Sequence, residues 1–145
     1  IDDIIIQGSE SGVSYVGFYP PKNYPITALS EVTNAAILCA AAQLNEYFAK
    51  QRTTFTVPLD TQGTVFQQSV WQALLNVPYG ELKTYGDIAK VLNNPKAVRA
   101  VGAANGKNPI SIIVPCHRII GANAKLTGYA GGLARKQWLL QHETG

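Results

Sequence analysis

The chain has 145 residues, 46% of them hydrophobic and 14% charged, with a formal net charge of +3. Such a composition buries a core and excludes a disordered chain; no apolar run approaches a membrane span, and two cysteines cannot supply a disulfide framework. No basic-then-apolar leader opens the chain, so the expected setting is the cytoplasm, where thiols stay reduced. The charge is unevenly spread. Residues 1–63 carry three basic against six acidic side chains, and residues 64–145 carry nine against three. A basic half points to a polyanionic partner, nucleic acid first, although a merely soluble basic face is common.

In chain order, residues 4–7 and 13–18 flank a Gly-rich turn and predict a β-hairpin. Pro20, Pro21 and Pro25 mark an irregular connection. Ser30 is the expected cap of a helix running to about Lys50, with Val32, Ala36, Cys39, Gln43, Leu44, Tyr47 and Phe48 on its mostly apolar stripe. Residues 54–57 alternate like a third strand. Residues 1–60 therefore predict a small sheet with one helix, and residues 58–63 a boundary. The expected fold class is α+β: this N-terminal domain, then a mainly helical C-terminal domain at 61–145.

Beyond the boundary, Thr64 with Gln67 and Thr84 with Asp87 form capping boxes for two helices, the second opening at Tyr85. Pro78-Tyr79-Gly80 separates them. Asn94 and Pro95 are expected to cap and open a third helix over 97–105, closed by Gly106. The last two helices predict a helix-turn-helix. Its second helix carries Ala97, Ala100, Gly102 and Ala103 beside one cation, Arg99. That small face permits close approach to DNA or tight helix–helix packing equally. Asn108-Pro109 then turns the chain into an apolar run, 112–120, read as a buried strand interrupted by Cys116-His117-Arg118. The loop 121–128 leads to Tyr129-Ala130-Gly131-Gly132, whose backbone N–H groups suit a ligand. A final helix over 133–142 ends next to Glu143.

A thiol, an imidazole and a carboxylate are the components of a nucleophile relay, in which Glu143 orients His117 and His117 takes the Cys116 proton. Adjacent strand residues face opposite ways, so Cys116 and His117 need a sharp turn or an intervening water. Two Cys and two His without ligand spacing predict no metal site.

Several ordered motifs resemble the O6-alkylguanine-DNA alkyltransferases, also called methylated-DNA–protein-cysteine methyltransferases. They are Phe66-Gln67-Gln68-Ser69-Val70-Trp71, Pro78-Tyr79-Gly80-Glu81, Thr84-Tyr85-Gly86-Asp87-Ile88-Ala89, Asn94 to Gly102, Asn108-Pro109, Val114-Pro115-Cys116-His117-Arg118-Ile119-Ile120 and Leu126 to Leu133, followed by Lys136 to Glu143. The resemblance implies a single-use repair protein that flips O6-alkylguanine from duplex DNA and moves the alkyl group onto Cys116, with O4-alkylthymine as a second possible substrate. It implies that His117 activates Cys116 through water, that Glu143 orients His117, and that Tyr85 assists extrusion and protonates the departing guanine. Arg99 would fill the vacated stack, and Asn108 would hold the turn between recognition helix and active-site strand. Tyr85, Ala97, Arg99, Ala100, Gly102, Ala103 and Arg118 would face DNA through the minor groove; Val114, Pro115, Tyr129, Ala130 and Gly131 would line the pocket. Ala130 stands where the family often has Ser, and Lys125 where Gly is common. No cofactor and no membrane partner are implied, and the protein is expected to be a monomer. A cysteine hydrolase would use the same three groups but leaves Arg99 and the helix-turn-helix unexplained. A non-catalytic lesion-binding module would lack the acceptor thiol.

Overall fold

The structure, a computed structural model, describes residues 3–19, 26–122 and 129–145. The proline-rich connection at 20–25, Lys125 and the motif residues 126–128 lie outside them. The fold is α+β, as the sequence predicts. Strands β1 (Ile5–Ser9) and β2 (Gly12–Gly17) form an antiparallel hairpin with a register shift after Gln7. Helix α1 (Ala35–Phe48) packs on it. Helices α2 (Val65–Leu74), α3 (Tyr85–Val91) and α4 (Val98–Gly106) pack on one another, and α5 (Leu133–Thr144) closes the chain.

Both expected capping boxes are present, Thr64 with Gln67 on α2 and Thr84 with Asp87 on α3. Each pair satisfies two backbone N–H groups that an open helix end would leave without partners. The cap of α1 is different: Asn34, not Ser30, accepts from Ile37 N at 3.0 Å. Ser30 sits in a separate 3-10 turn, Leu29–Glu31, after which Val32 is extended, so the α-helix cannot start until the β-branched pair Val32-Thr33 has passed.

Residues 54–57 do not form a third strand. Thr56 N donates to the Gln43 side chain at 2.9 Å, so a helix side chain takes the place of a ladder partner. The edge of β2 is instead taken by two later segments. Val13 exchanges bonds with Pro58 O and Asp60 N at 2.9 and 2.8 Å, and Val16 does so with Pro109 O and Ser111 N, both at 2.9 Å. The second pair ties the hairpin to the segment just ahead of Cys116. A single buried cluster accordingly runs from Val13 and Val16 through Leu44, Val70, Leu74, Ile88 and Val101 to Ile110, Ile112 and Leu139.

The expected cap at Asn94 gives way too. Asn93 takes φ 56° and Asn94 N bonds back to Ala89 O, so both residues terminate α3. Pro95 lies in the turn that follows. Helix α4 starts at Val98 from Ala97, which offers no side-chain cap, and Gly106 is its last residue. Nor is 112–118 a strand. Ile112 has φ 72°, and Ile113, Val114 and Cys116 donate to Ser111, Ile110 and Val114 in tight turns, which lead into a 3-10 turn at Cys116–Arg118. Only β4 (Ile119–Ile120) is extended; it pairs in parallel with β3 (Lys83–Thr84), a contact between two-residue strands too short for periodicity to reveal.

The two candidate caps of α1 make different demands. Asn34→Ala should cost about 1 kcal/mol, while Ser30→Ala should stay within about 0.5 kcal/mol of wild type. Urea midpoints of the two variants check this, and the reverse order would move the helix start back to Ser30.

Candidate active site and DNA-facing helix

The reactive turn is built by asparagine side chains. Asn108, buried, accepts from Ile110 N at 3.0 Å and donates to Ile110 O at 3.2 Å and Val114 O at 2.8 Å. Those bonds replace the ladder that a strand would have used, and they let Ile112 adopt its left-handed conformation. Asn105, on the buried face of α4, donates to Cys116 O at 3.4 Å, joining α4 to the Cys116 carbonyl. Sequence reading assigned Asn108 to this turn and missed Asn105; a lone Asn on a small-residue helix gave no sign that it faces inward.

Cys116 is 2% exposed and His117 fully buried. Burial pushes the thiol up to about 11, although the Asn108 side chain and the Lys136 ammonium pull it down. The resting group is therefore a thiol at neutral pH. Burial holds His117 below its ordinary range against the opposing pull of Glu143, so the imidazole is neutral. Its Nε2 lies 2.6 Å from Glu143 Oε2. A carboxylate only accepts, so the ring proton resides on Nε2 and the lone pair on Nδ1. Nδ1 is buried and has no hydrogen-bonding partner among the described residues.

Glu143 collects further donors. Arg118 Nε and Nη2 reach Oε1 and Oε2 at 2.8 and 3.0 Å, the Tyr47 hydroxyl reaches Oε2 at 2.8 Å, and Gly80 N reaches Oε1 at 3.2 Å. Burial alone would raise this carboxyl, but the bonds and charges of His117 and Arg118 outweigh it and hold the group well below the carboxylate range. Arg118 also donates to Val77 O at 2.7 Å and is 5% exposed. The expectation that Arg118 faces DNA is therefore corrected: its guanidinium is spent inside on Glu143 and Val77. Tyr47 and Lys136 were not anticipated as site residues. Lys136 is fully buried and donates to Ile119 O; it shares the inner face of α5 with Leu139 and Glu143. Two charges on one apolar helical stripe, seven residues apart, were the available signal.

The residues expected to line a pocket differ in burial. Val114, Pro115, Tyr129 and Gly131 are buried around the turn, and Ala130 is exposed. Burial and the neighbouring Cys116 push the Tyr129 phenol upward. A Cβ on Gly131 would lie 2.7 Å from both the Phe18 and Tyr129 rings, so only glycine fits there. On the outer side, Arg99, Ala100 and Ala103 of α4 are exposed, whereas Val101, Ala104 and Asn105 are buried. Tyr85 starts α3 opposite Gly102, whose added Cβ would lie 4.0 Å from the Tyr85 ring. Lys83, Lys90, Lys96 and Lys107 are also exposed. The described residues contain no cluster able to hold a metal ion.

A thiol, a neutral base and an anchored carboxylate, one turn behind a helix-turn-helix, define a DNA-binding protein with a cysteine nucleophile. The sequence comparisons resolve the class. A family profile described as "6-O-methylguanine DNA methyltransferase, DNA binding domain" matches residues 65–145. The chain is 53% identical to a methylated-DNA–protein-cysteine methyltransferase of Methanosarcina acetivorans over 144 residues, covering 99% of this chain and 92% of that one. It is 50% identical to the protein of that name from Methanosarcina mazei, covering 97% and 89%. The crystal structure of Mycobacterium tuberculosis OGT in complex with DNA is similar with a TM-score of 0.83 at 48% identity, covering 99% of this chain and 90% of that one. The chain belongs to the 6-O-methylguanine DNA methyltransferase family.

The depressed Glu143 carboxyl makes stability depend on acid. Its contribution is complete above the ordinary 4.5 and is lost as pH falls below that value toward the folded one. Glu143→Gln should flatten this acid limb and, by leaving Arg118 buried without its counter-charge, cost about 3–5 kcal/mol near neutrality. Melting curves of both proteins between pH 3 and 7 read the difference; an unchanged acid limb in the variant would place the proton uptake elsewhere.

Proposed function

We propose that this protein reverses DNA alkylation directly, moving the alkyl group from O6 of guanine to the Cys116 sulfur in a single irreversible turnover. The observation that carries the reading is the buried Cys116-His117 turn, with the His117 proton fixed on the Glu143 side and its Nδ1 lone pair left to accept. The thiol proton passes to Nδ1 through a bridging water, and the thiolate attacks the alkyl carbon. An S–C bond forms as the C–O6 bond breaks, and the guanine leaves with a proton from Tyr85. A thioether is not hydrolysed, so each molecule acts once. The same chemistry extends to O4-alkylthymine where the base enters the pocket.

The target carbon is unreachable in a stacked base, so the nucleotide is extruded into the pocket formed by Val114, Pro115, Tyr129 and Gly131. The exposed alanines of α4 let the backbone approach the minor groove closely, where sequence readout is poor and a lesion search benefits from that indifference. Arg99 projects from the same surface into the gap. The protein works as a monomer in the cytoplasm; residues 1–60 form a supporting domain and 61–145 the DNA-binding and transfer domain. Among the described residues no helix is long and apolar enough to cross a membrane.

Incubation with excess O6-methylguanine duplex should add one methyl group per protein, located on Cys116 by peptide mass. Cys116→Ala should gain none and still bind DNA. Repeated turnover, or a methyl on Cys39, would sink the reading.

Arg99→Ala should slow the single-turnover rate at saturating duplex by about tenfold or more, because unstacking a base costs a few kcal/mol that the side chain offsets in part. Reaction with free O6-benzylguanine should be nearly unaffected, since a free base needs no extrusion. Equal losses on both substrates, or an unchanged saturated rate, would remove Arg99 from flipping.

A further inference from the structure

Most donors on Glu143 come from the C-terminal half, but the Tyr47 hydroxyl comes from α1, 96 residues earlier in the chain. Nothing in the transfer chemistry above uses it. The side chain is fully buried, and its ring is held by Phe48, Phe55, Tyr79 and His142 at centroid distances of 5.2, 5.7, 6.1 and 5.1 Å. Its position is fixed before any substrate arrives. Its partner only accepts, and burial with the adjacent Glu143 charge raises the phenol above its ordinary range, so Tyr47 donates throughout the working pH range.

The oxygen that it meets matters. Oε2 is the atom that faces His117 Nε2 at 2.6 Å. Each donor on Oε2 draws away negative charge, and the proton affinity of the imidazole depends on the charge left there. The hydroxyl also limits which way the carboxylate plane can turn, and with it the direction of the Nδ1 lone pair. We propose that Tyr47 is a positioning residue for alkyl transfer: through Oε2 it sets the orientation and the proton affinity of His117, and so couples the N-terminal half of the chain to the reaction. The inference rests on the relay proposed above. The other groups that bear on the relay are Arg118 on the same turn, Lys136 and Glu143 on α5, Cys116, and Tyr79 beside the carboxylate.

Tyr47→Phe keeps the ring and removes only the donor. Oε2 then carries more charge and His117 holds a proton more firmly. Transfer needs His117 neutral, so the rate rises with pH through its folded pKa, and that acidic limb should move to higher pH. The expected shift is about half a unit, a roughly threefold loss of rate on the limb. The measurement is the single-turnover rate with saturating O6-methylguanine duplex across pH, alongside the number of titratable Cys116 thiols and the DNA affinity, neither of which should change. A purely structural role would lower the titratable fraction or the melting temperature and leave the profile in place. Superimposable profiles would therefore overturn the proposal. Should Tyr47→Phe leave no titratable thiol, 3,5-difluorotyrosine placed at position 47 supplies a stronger donor of similar shape. It should move the limb to lower pH, and an unmoved limb counts against the proposal equally. Failure of wild type to take up the alkyl group would remove the relay itself, an outcome distinct from a relay that ignores Tyr47.

Discussion

A buried carboxylate near the C-terminal end of a helix is an unfavourable object. The helix dipole disfavours its charge there, and burial removes its water. Glu143 is tolerable because His117, Arg118, Tyr47 and Gly80 all donate to it. The requirement runs both ways. Each donor must be delivered from a different part of the chain, so meeting the demands of one carboxylate fixes the reactive turn, the segment before β3, the N-terminal helix and α5 against one another. Apolar groups in place of a buried ion pair are often as stable, so the Glu143–Arg118 pair is accounted for by what it does to His117 rather than by stability.

The reactive turn meets a second constraint. On an extended strand Cys116 and His117 would point to opposite faces. In the observed 3-10 turn successive side chains are about 120° apart, not on the opposite faces that a strand would impose. The turn exists because Asn108 supplies backbone partners that a ladder would have supplied, and because Ile112 accepts a left-handed conformation that a β-branched residue ordinarily avoids. The high thiol pKa suits a displacement at carbon. A thiolate formed from a high-pKa thiol is the stronger nucleophile.

Local signals were legible where they are self-contained. The capping boxes at Thr64 and Thr84 and the hairpin each consist of residues a few positions apart, and all were readable. The misassignments share a cause: the competing partner is distant. Residues 54–57 alternate like a strand, but Gln43 of α1 takes their backbone. Asn94 looks like a cap, but its N–H is claimed by Ala89 O. Residues 112–118 have the composition of a buried strand, but Asn108 bends them. Cys116, His117 and Glu143 were identifiable as chemistry-bearing types; the structure joins His117 to Glu143 directly and sets Cys116 on the same 3-10 turn as His117. Arg118 was misread because a cation beside an active-site thiol in a basic half looks like a DNA contact, and only the structure shows that Glu143 and Val77 consume it.

That misreading bears on the electrostatics. The described basic side chains of the C-terminal half differ in burial, with Arg135 intermediate between a buried and an exposed group. Arg118 and Lys136 are buried and act on Glu143 and Cys116, where little solvent screens them. Lys83, Lys90, Lys96, Arg99 and Lys107 are exposed, where salt screens a charge strongly. The buried charges act on the thiol and the carboxylate without altering the surface. Helix α4 is where the two meet, since its exposed face presents Arg99 while its buried face reaches Cys116 O through Asn105. That hydrogen bond ties the position of α4 to the Cys116 backbone.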